Sequence, residues 1–146
     1  MKCSEIMTKN PACCLPTDTA QRAAQLMKTE NVGPIPVVSD EQTKKLVGIV
    51  TDRDLALNVV AEGRDPKSTK VNEVMTTGVT ACRADDDLEK ATAAMEEQQV
   101  RRIPIVDEND RIVGIIAQAD VARLTERPEK TAEVVSEISK PSAAGK

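Results

Sequence analysis

The feature of this sequence that most constrains its fold is an internal duplication. Residues 3–38 align with residues 71–106 without a gap, at a constant offset of 68. The matched positions include Met7 with Met75, Cys14 with Cys82, Met27 with Met95 and Pro36 with Pro104. Beyond the next polar turn, which is two residues longer in the first copy, the offset is 66 and Gly48 matches Gly114. An offset held along so much of the chain predicts two copies of one structural unit.

Each copy carries the same series of predicted elements. A short turn and a brief strand near Cys14 or Cys82 precede a helix, and two strands around a polar turn then lead to a closing helix. The apolar residues of the first helix recur at helical spacing and predict one buried stripe. They are Ala20, Ala23, Ala24 and Met27 in the first copy, and Leu88, Ala91 and Met95 in the second. The order β-α-β-β-α predicts an α+β fold.

Two local signals refine this interpretation. Proline has no backbone donor, so the proline inside each central strand predicts that this strand lies at a sheet edge or begins at the proline. Asp86 lies three residues before Glu89, a spacing that is typical of a helix N-cap box. We therefore expect Asp86 to cap the first helix of the second copy.

The composition narrows the classes of function. The chain has 146 residues, a net charge of −4, no aromatic residue and no histidine. It therefore lacks the stacking surfaces that bind single-stranded nucleic acid, and its charge disfavours nucleic acid and anionic membranes as partners. It also lacks the commonest general base, and no side chain is evidently paired as a nucleophile with a base. We expect no enzyme activity and, because the N-terminus does not resemble a signal peptide, a cytoplasmic location.

The four cysteines, at positions 3, 13, 14 and 82, allow two interpretations. Cytoplasmic thiols stay reduced, and the sequence has neither a C-x-x-C pair nor a histidine to complete a common zinc site. We expect buried, inert thiols and no metal site. A redox or metal sensor built from Cys13, Cys14 and Cys82 is the alternative, since Cys14 and Cys82 occupy equivalent positions in the two copies.

The end of each copy carries a distinctive motif. In the first copy, PIPVV and a turn precede GIVTDRD, in which Thr51 and Asp54 lie three residues apart. In the second copy, RIPIV and a turn precede GIIAQAD, which keeps Asp120 and has Ala117 in place of the threonine. A duplicated β-α-β-β-α unit with these motifs resembles a tandem pair of CBS (cystathionine-β-synthase-type) domains, also called a Bateman module. The resemblance covers about residues 2–125.

The resemblance implies two repeats related by a pseudo-twofold axis. We expect the first CBS domain at 1–62, a linker at 63–70, the second CBS domain at 71–125, and a C-terminal helix and loose tail at 126–146.

The resemblance also implies a ligand. Pairs of this family take adenosine-containing molecules, such as AMP, ADP, ATP, NAD or S-adenosylmethionine, in two clefts, and the aspartate of each motif binds the ribose hydroxyls. One cleft would bind ribose through Thr51 and Asp54, adenine through Thr76, Ala81 and Val100, and phosphate through Arg101 and Arg102. The second cleft would be formed by Asp120, Thr8, Cys13, Val32 and Gly33.

The two implied clefts are not equivalent. The first repeat has Gly33 and Pro34 where the second has its two arginines, and Ala117 offers no hydroxyl to the ribose. The resemblance therefore implies one cleft equipped for a phosphate and a second that binds more weakly or stays empty.

The same residues also have structural interpretations. Thr51 and Asp54 can form a capping box at the start of a helix, because each side chain can accept a backbone N–H of the other. The two arginines can be solvated charges beside the acids of the preceding helix. The retention of Asp120 without a hydroxyl at Ala117 favours a role for the carboxylate beyond capping.

The expected function is a non-catalytic regulatory module that senses an adenine nucleotide or a related ligand and requires no cofactor. The alternatives are a structural or protein-interaction module with empty clefts and an unknown partner, and the cysteine-based sensor. We also expect a homodimer, because apolar helix faces are costly to leave in water. The residues of these faces are Leu55, Val59, Val60, Val134, Val135 and Ile138.

Overall fold

The computed structural model describes residues 1–124. It contains two compact units. The first unit consists of residues 11–79 and 109–112, and the second of residues 1–10, 80–108 and the described chain from residue 113 onward. Each unit thus takes segments from both sequence repeats.

The elements follow the predicted order and confirm the α+β class. In chain order they are β1 (Thr8–Lys9), α1 (Ala20–Glu30), β2 (Pro34–Val38), β3 (Leu46–Thr51), α2 (Asp52–Leu55), β4 (Cys82–Arg83), α3 (Leu88–Gln98), β5 (Arg102–Val106), β6 (Ile112–Ala117) and α4 (Gln118–Leu124). Short 3-10 turns cover Cys3–Glu5 and Val71–Glu73, and α2 continues as a π-helical turn over Ala56–Val60.

The second unit is built on a four-stranded sheet with the order β1-β6-β5-β4. Strand β1 runs antiparallel to β6, with Thr8 opposite Ile115, and β4 runs parallel to β5. Helix α3 packs its apolar stripe into the core of this unit. The stripe is Leu88, Ala91 and Met95, as predicted.

The first unit repeats this arrangement with shorter flanking segments. Strands β2 and β3 are antiparallel, Cys14 bridges β2 in the parallel sense, and Thr76 bridges β3 at Ile49 in the antiparallel sense. Helix α1 buries Ala20, Ala23 and Met27 in the core, whereas Ala24, predicted as part of the stripe, is exposed.

The prediction that the proline-containing strand lies at an edge or begins at the proline is wrong for β5. This strand lies between β6 and β4, and it begins at Arg102, before Pro104. The first unit shows why an interior position is tolerated. The N–H of Cys14 donates to the carbonyl of Pro36, and the N–H of Val38 donates to the carbonyl of Cys14. This parallel ladder uses the acceptor of Pro36 and the donor of Val38, so it requires no N–H from the proline.

The predicted capping role of Asp86 is also wrong. The N-cap of α3 is Asp87, and the Asp86 carboxylate instead accepts the N–H of Arg83 at 2.7 Å. Asp18 accepts the N–H of Leu15 at 2.8 Å at the equivalent place in the first repeat. In both repeats the aspartate therefore closes the turn before the helix.

The apolar face expected on the closing helix of the first repeat is only partly exposed. Val59 is 2% exposed and belongs to the core, and Leu55 packs against that core. Leu57 and Val60 are 46% and 77% exposed. Leu55 and Val59 are four residues apart and share the face that packs on the core, which leaves Leu57 and Val60 on the surface.

The C-terminal helix and tail expected at 126–146, with Val134, Val135 and Ile138, lie outside the described residues. Within residues 1–124, no helix is long and apolar enough to cross a membrane.

Candidate functional site

The motif of the first repeat forms a reciprocal capping box at the junction of β3 and α2. The hydroxyl of Thr51 accepts the N–H of Asp54 at 3.1 Å, and Oδ2 of Asp54 accepts the N–H of Thr51 at 2.9 Å. Asp54 is only 6% exposed. The capping interpretation is therefore confirmed, and the geometry fixes the carboxylate through one of its two oxygens.

The second repeat holds its aspartate in a similar way. Oδ2 of Asp120 accepts the N–H of Ala117 at 3.1 Å, although no hydroxyl is present to complete the box. Oδ1 of Asp120 forms an ion pair with Arg123 at 2.6 Å, one turn along α4. The corresponding residue of the first repeat is Leu57, and within residues 1–124 Asp54 forms no ion pair.

Several predicted ligand residues lie beside these aspartates within one unit. In the first unit, Thr76 and Ile49 exchange two backbone hydrogen bonds of 2.8 and 3.0 Å, which places Thr76 two residues from the Thr51 position of the neighbouring strand. In the second unit, Thr8 lies opposite Ile115 in the same way, close to Ala117. The M-T segment of the first repeat (Met7 and Thr8) therefore pairs with β6 of the second repeat. The M-T segment of the second repeat (Met75 and Thr76) pairs with β3 of the first.

The remaining predicted residues are divided between the units. The first unit contains Cys13, Val32 and Gly33, and the second contains Ala81, Val100, Arg101 and Arg102. Both arginine side chains are exposed, and within residues 1–124 neither forms an ion pair with the acids of α3. The grouping of these residues into two ligand sites remains a prediction.

Backbone hydrogen bonds link Gly33 and Arg101, which precede the central strands, to the closing helices of their own repeats. The N–H of Asp52 donates to the carbonyl of Gly33 at 3.0 Å, and the N–H of Gln118 donates to the carbonyl of Arg101 at 2.8 Å. The first residue of each closing helix thus adjoins the position expected to face a phosphate. Sequence reasoning gave no role to Asp52, Gln118 or Arg123, because spacing alone does not show which surface side chains meet.

The cysteines are reduced and mostly buried. Cys3 and Cys82 belong to the core of the second unit, and Cys14 belongs to the core of the first, whereas Cys13 is half-buried. Burial raises the pKa of Cys3 and of Cys14 to about 11, and it also raises the pKa of Cys13 and of Cys82. Among the described residues, no group of three or more cysteine or acidic side chains is placed to hold a metal ion.

This environment predicts slow thiol chemistry. The thiolate is the reactive species, so a raised pKa lowers reactivity at neutral pH. We expect a thiol reagent at pH 8 to modify Cys13 first, and the other three cysteines only after denaturation. Cys13→Ser should remove the early reaction, and a second early-reacting thiol in that variant would contradict the burial of the others.

The family comparison gives a direct result. A family model for the CBS domain matches residues 3–61 and again residues 71–127. The CBS domain-containing protein YhcV of Bacillus subtilis is 42% identical over 135 residues, which cover 92% of this chain and 93% of that protein. Inosine-5'-monophosphate dehydrogenase of Methanocaldococcus jannaschii is 34% identical over 128 residues, which cover only 24% of that enzyme. The matched region is thus an accessory part of the enzyme.

Solved structures agree with this result. Hypoxic Response Protein I, with two coordinated zinc ions, is 32% identical, with a TM-score of 0.77 and coverage of 86% of this chain and 99% of that one. The CBS domain pair of protein MJ0100, in complex with 5'-methylthioadenosine and S-adenosyl-L-methionine, is 27% identical, with a TM-score of 0.74 and coverage of 85% and 94%. CBSX2 in complex with AMP is 26% identical, with a TM-score of 0.71 and coverage of 88% and 98%.

Proposed function

Because this chain belongs to the CBS domain family and carries the domain twice, we propose that it is a non-catalytic regulatory module that senses an adenosine-containing ligand. The observation that carries the proposal is the burial and hydrogen bonding of the Asp54 carboxylate. Its carboxylate is buried and held by the Thr51 N–H through Oδ2, and within residues 1–124 no hydrogen bond engages Oδ1. A vicinal diol can donate to such an oriented carboxylate through charge-assisted hydrogen bonds.

Four further predicted residues, all in the second unit, have side chains suited to an adenine nucleotide. Ala81 and Val100 offer apolar area to a purine, which needs no aromatic partner for burial. Arg101 and Arg102 are exposed cations, and the planar guanidinium group can meet two phosphate oxygens at once. We also assign ligand contacts to Asp120 and Thr8, which lie in the same unit.

Two solved relatives support an adenosine ligand. The MJ0100 pair binds 5'-methylthioadenosine and S-adenosyl-L-methionine, and CBSX2 binds AMP. All three molecules share the adenosine part and differ in charge and substituent at the 5' position. The shared part is what an aspartate on the ribose and apolar residues on the purine would recognise.

A thermal-shift panel tests the proposal. A ligand that binds only the folded protein must raise its melting temperature, by an amount that grows with ligand concentration. We expect adenosine, AMP, ATP, NAD or S-adenosylmethionine to stabilise the chain, and guanosine and GMP, as matched controls, to have little effect. If no adenosine compound at millimolar concentration shifts the transition, the chain is not an adenosine sensor, and the protein-interaction alternative gains support.

The regulatory step would use differential binding. A ligand changes the conformational equilibrium only when it binds one arrangement more tightly than another. No acid, base or nucleophile is required in such a step.

We also propose that the chain forms a homodimer through the exposed turn that contains Leu57 and Val60. Val60→Glu should place a charge in the interface and lower the mass found by light scattering to that of the monomer. Gln42→Glu is the control, because it adds the same charge at an exposed residue outside this turn. A monomer mass for the unmodified protein at tens of micromolar would contradict the proposal.

A further inference from the structure

The ion pair between Asp120 and Arg123 distinguishes the second repeat from the first. Oδ1 of Asp120 contacts the guanidinium group of Arg123 at 2.6 Å, and Oδ2 accepts the N–H of Ala117 at 3.1 Å. Both oxygens of this carboxylate therefore have a partner within the chain. In the first repeat Leu57 takes the place of Arg123, and within residues 1–124 no hydrogen bond engages Oδ1 of Asp54.

The two partners of this ion pair differ in how freely they can move. The Asp120 side chain is 16% exposed and is fixed by a backbone hydrogen bond, whereas the Arg123 side chain is 72% exposed. An exposed arginine loses little when it leaves a partner, because an ion pair at the surface contributes only a small free energy. A ligand that approaches the carboxylate can therefore displace the guanidinium group while the backbone of the site stays in place.

Two further arginines lie in the same unit as this ion pair. The N–H of Gln118 donates to the carbonyl of Arg101 at 2.8 Å, so Arg101 adjoins the first residue of α4, the helix that contains both partners. Arg102 follows, and both arginine side chains are exposed. Residues 101–102 and 117–124 together carry three arginines and a single acid, so they attract an anionic group of a ligand bound to Asp120.

We propose that Arg123 is a specificity-determining residue of the Asp120 site, which disfavours neutral adenosine and accepts an adenosine ligand that carries a 5'-phosphate. This preference rests on the proposed function, in which the ribose hydroxyls donate to the aspartate. A neutral nucleoside must displace the guanidinium group and leaves it without an anionic partner. A nucleotide displaces the same group, but its phosphate replaces the carboxylate as the partner, and the planar guanidinium group can meet two phosphate oxygens at once.

The first repeat lacks all three cations at the equivalent positions, which are Gly33, Pro34 and Leu57. Its Arg53 has no charged counterpart in the second repeat, but it lies between Asp52 and Asp54 along the chain, so this segment carries no net positive charge. We therefore assign the preference for phosphate to the unit that contains Asp120, whereas the resemblance implied it for the other cleft.

The experiment isolates the Asp120 site and then removes the arginine. In an Asp54→Asn background, which weakens the other site and keeps a capping oxygen, titration calorimetry measures adenosine and AMP binding with and without Arg123→Leu. Leucine is the residue that the first repeat has at this position. Arg123→Lys keeps the charge, and Arg83→Leu is the matched control, because Arg83 is an exposed arginine of the same unit. Circular dichroism and the melting temperature establish that each variant is folded.

We expect Arg123→Leu to tighten adenosine binding by about two- to fivefold, the factor that corresponds to an ion pair at the surface. AMP affinity should change by less than about twofold, because the variant loses one ion pair in the free protein and one in the complex. The preference for AMP over adenosine should therefore fall. Arg123→Lys should keep most of this preference, and Arg83→Leu should leave both affinities unchanged. Added salt should strengthen adenosine binding only when Arg123 is present, because it screens the competing ion pair.

The other outcomes overturn the inference. An equal gain for adenosine and AMP would show that Arg123 only competes for the carboxylate, and a loss confined to AMP would show that it only contacts the phosphate. An effect of Arg83→Leu as large as that of Arg123→Leu, or the loss of all binding in Asp54→Asn, also overturns it. Each of these results leaves the proposed function standing, because the unmodified chain binds an adenosine compound. A chain that binds none overturns both.

Discussion

Replacement of Asp54 by alanine is expected to weaken adenosine binding by about 1.5–3 kcal/mol, which is the usual contribution of hydrogen bonds to a charged group. This corresponds to roughly ten- to 150-fold in the dissociation constant. The carboxylate is buried and its Oδ2 is held by the N–H of Thr51, so Oδ1 would meet the ribose hydroxyls of the proposed ligand in a fixed orientation. Titration calorimetry with adenosine measures the change.

The same substitution removes a structural contact, so binding and stability must be separated. The N–H of Thr51 loses its acceptor, which costs about 1 kcal/mol of the free energy of unfolding. Asp54→Asn keeps an amide oxygen for this N–H and removes only the charge, so it should lose most of the binding and little stability. Thr51→Ala should show the reverse, with a larger loss of stability than of affinity.

Asp120→Ala is the matched control in the other repeat. Oδ1 of Asp120 is already paired with Arg123, and we expect a smaller loss of adenosine binding than at Asp54. If Asp54→Asn binds adenosine as tightly as the unmodified protein, capping is the whole role of the carboxylate and the ribose assignment is wrong.

The internal duplication was sufficient to predict the element order, the α+β class and most of the buried helix positions. It was not sufficient to predict how the M-T segments pair. Thr8 lies opposite Ile115 and Thr76 bridges Ile49, so each segment leaves its own repeat and joins the closing strand of the other. Alignment of the two repeats shows which residues are equivalent. It does not show whether a segment pairs with a strand of its own repeat or of the other, because the equivalent residues are the same in both cases.

The contacts of the candidate site also divide into those that the sequence predicted and those that it did not. The T-x-x-D spacing predicted the capping box, because the box is local and its geometry depends on residues three apart. The contact of Asp52 with the Gly33 position and the ion pair of Arg123 with Asp120 depend on side-chain direction at a helix start and along a helix surface. Periodicity identifies buried faces well but does not distinguish between exposed polar residues, so these contacts required coordinates.

The exchanged strands explain the glycine of each V-G-I motif and lead to a second large expected effect. A Cβ atom at Gly48 would lie 2.8 Å from the carbonyl oxygen of Thr76, and one at Gly114 would lie 2.9 Å from that of Thr8 and 2.5 Å from Sδ of Met7. A side chain can rotate away, whereas the carbonyl oxygen belongs to the paired strand. Gly→Ala at either position must therefore displace that strand.

We expect Gly48→Ala to lower the free energy of unfolding by about 1–3 kcal/mol, the usual cost of added volume in a well-packed site. Amide hydrogen exchange should locate the damage at Ile49 and Thr76, whose N–H groups bond across the two strands. Gly63→Ala is the control, because nothing lies within 4 Å of its added Cβ and only its positive φ of 67° opposes the change. That strain costs roughly 1–2 kcal/mol and should leave the Ile49 and Thr76 amides protected. Unchanged protection of these two amides in Gly48→Ala would show that the close approach of the strands is not what requires the glycine.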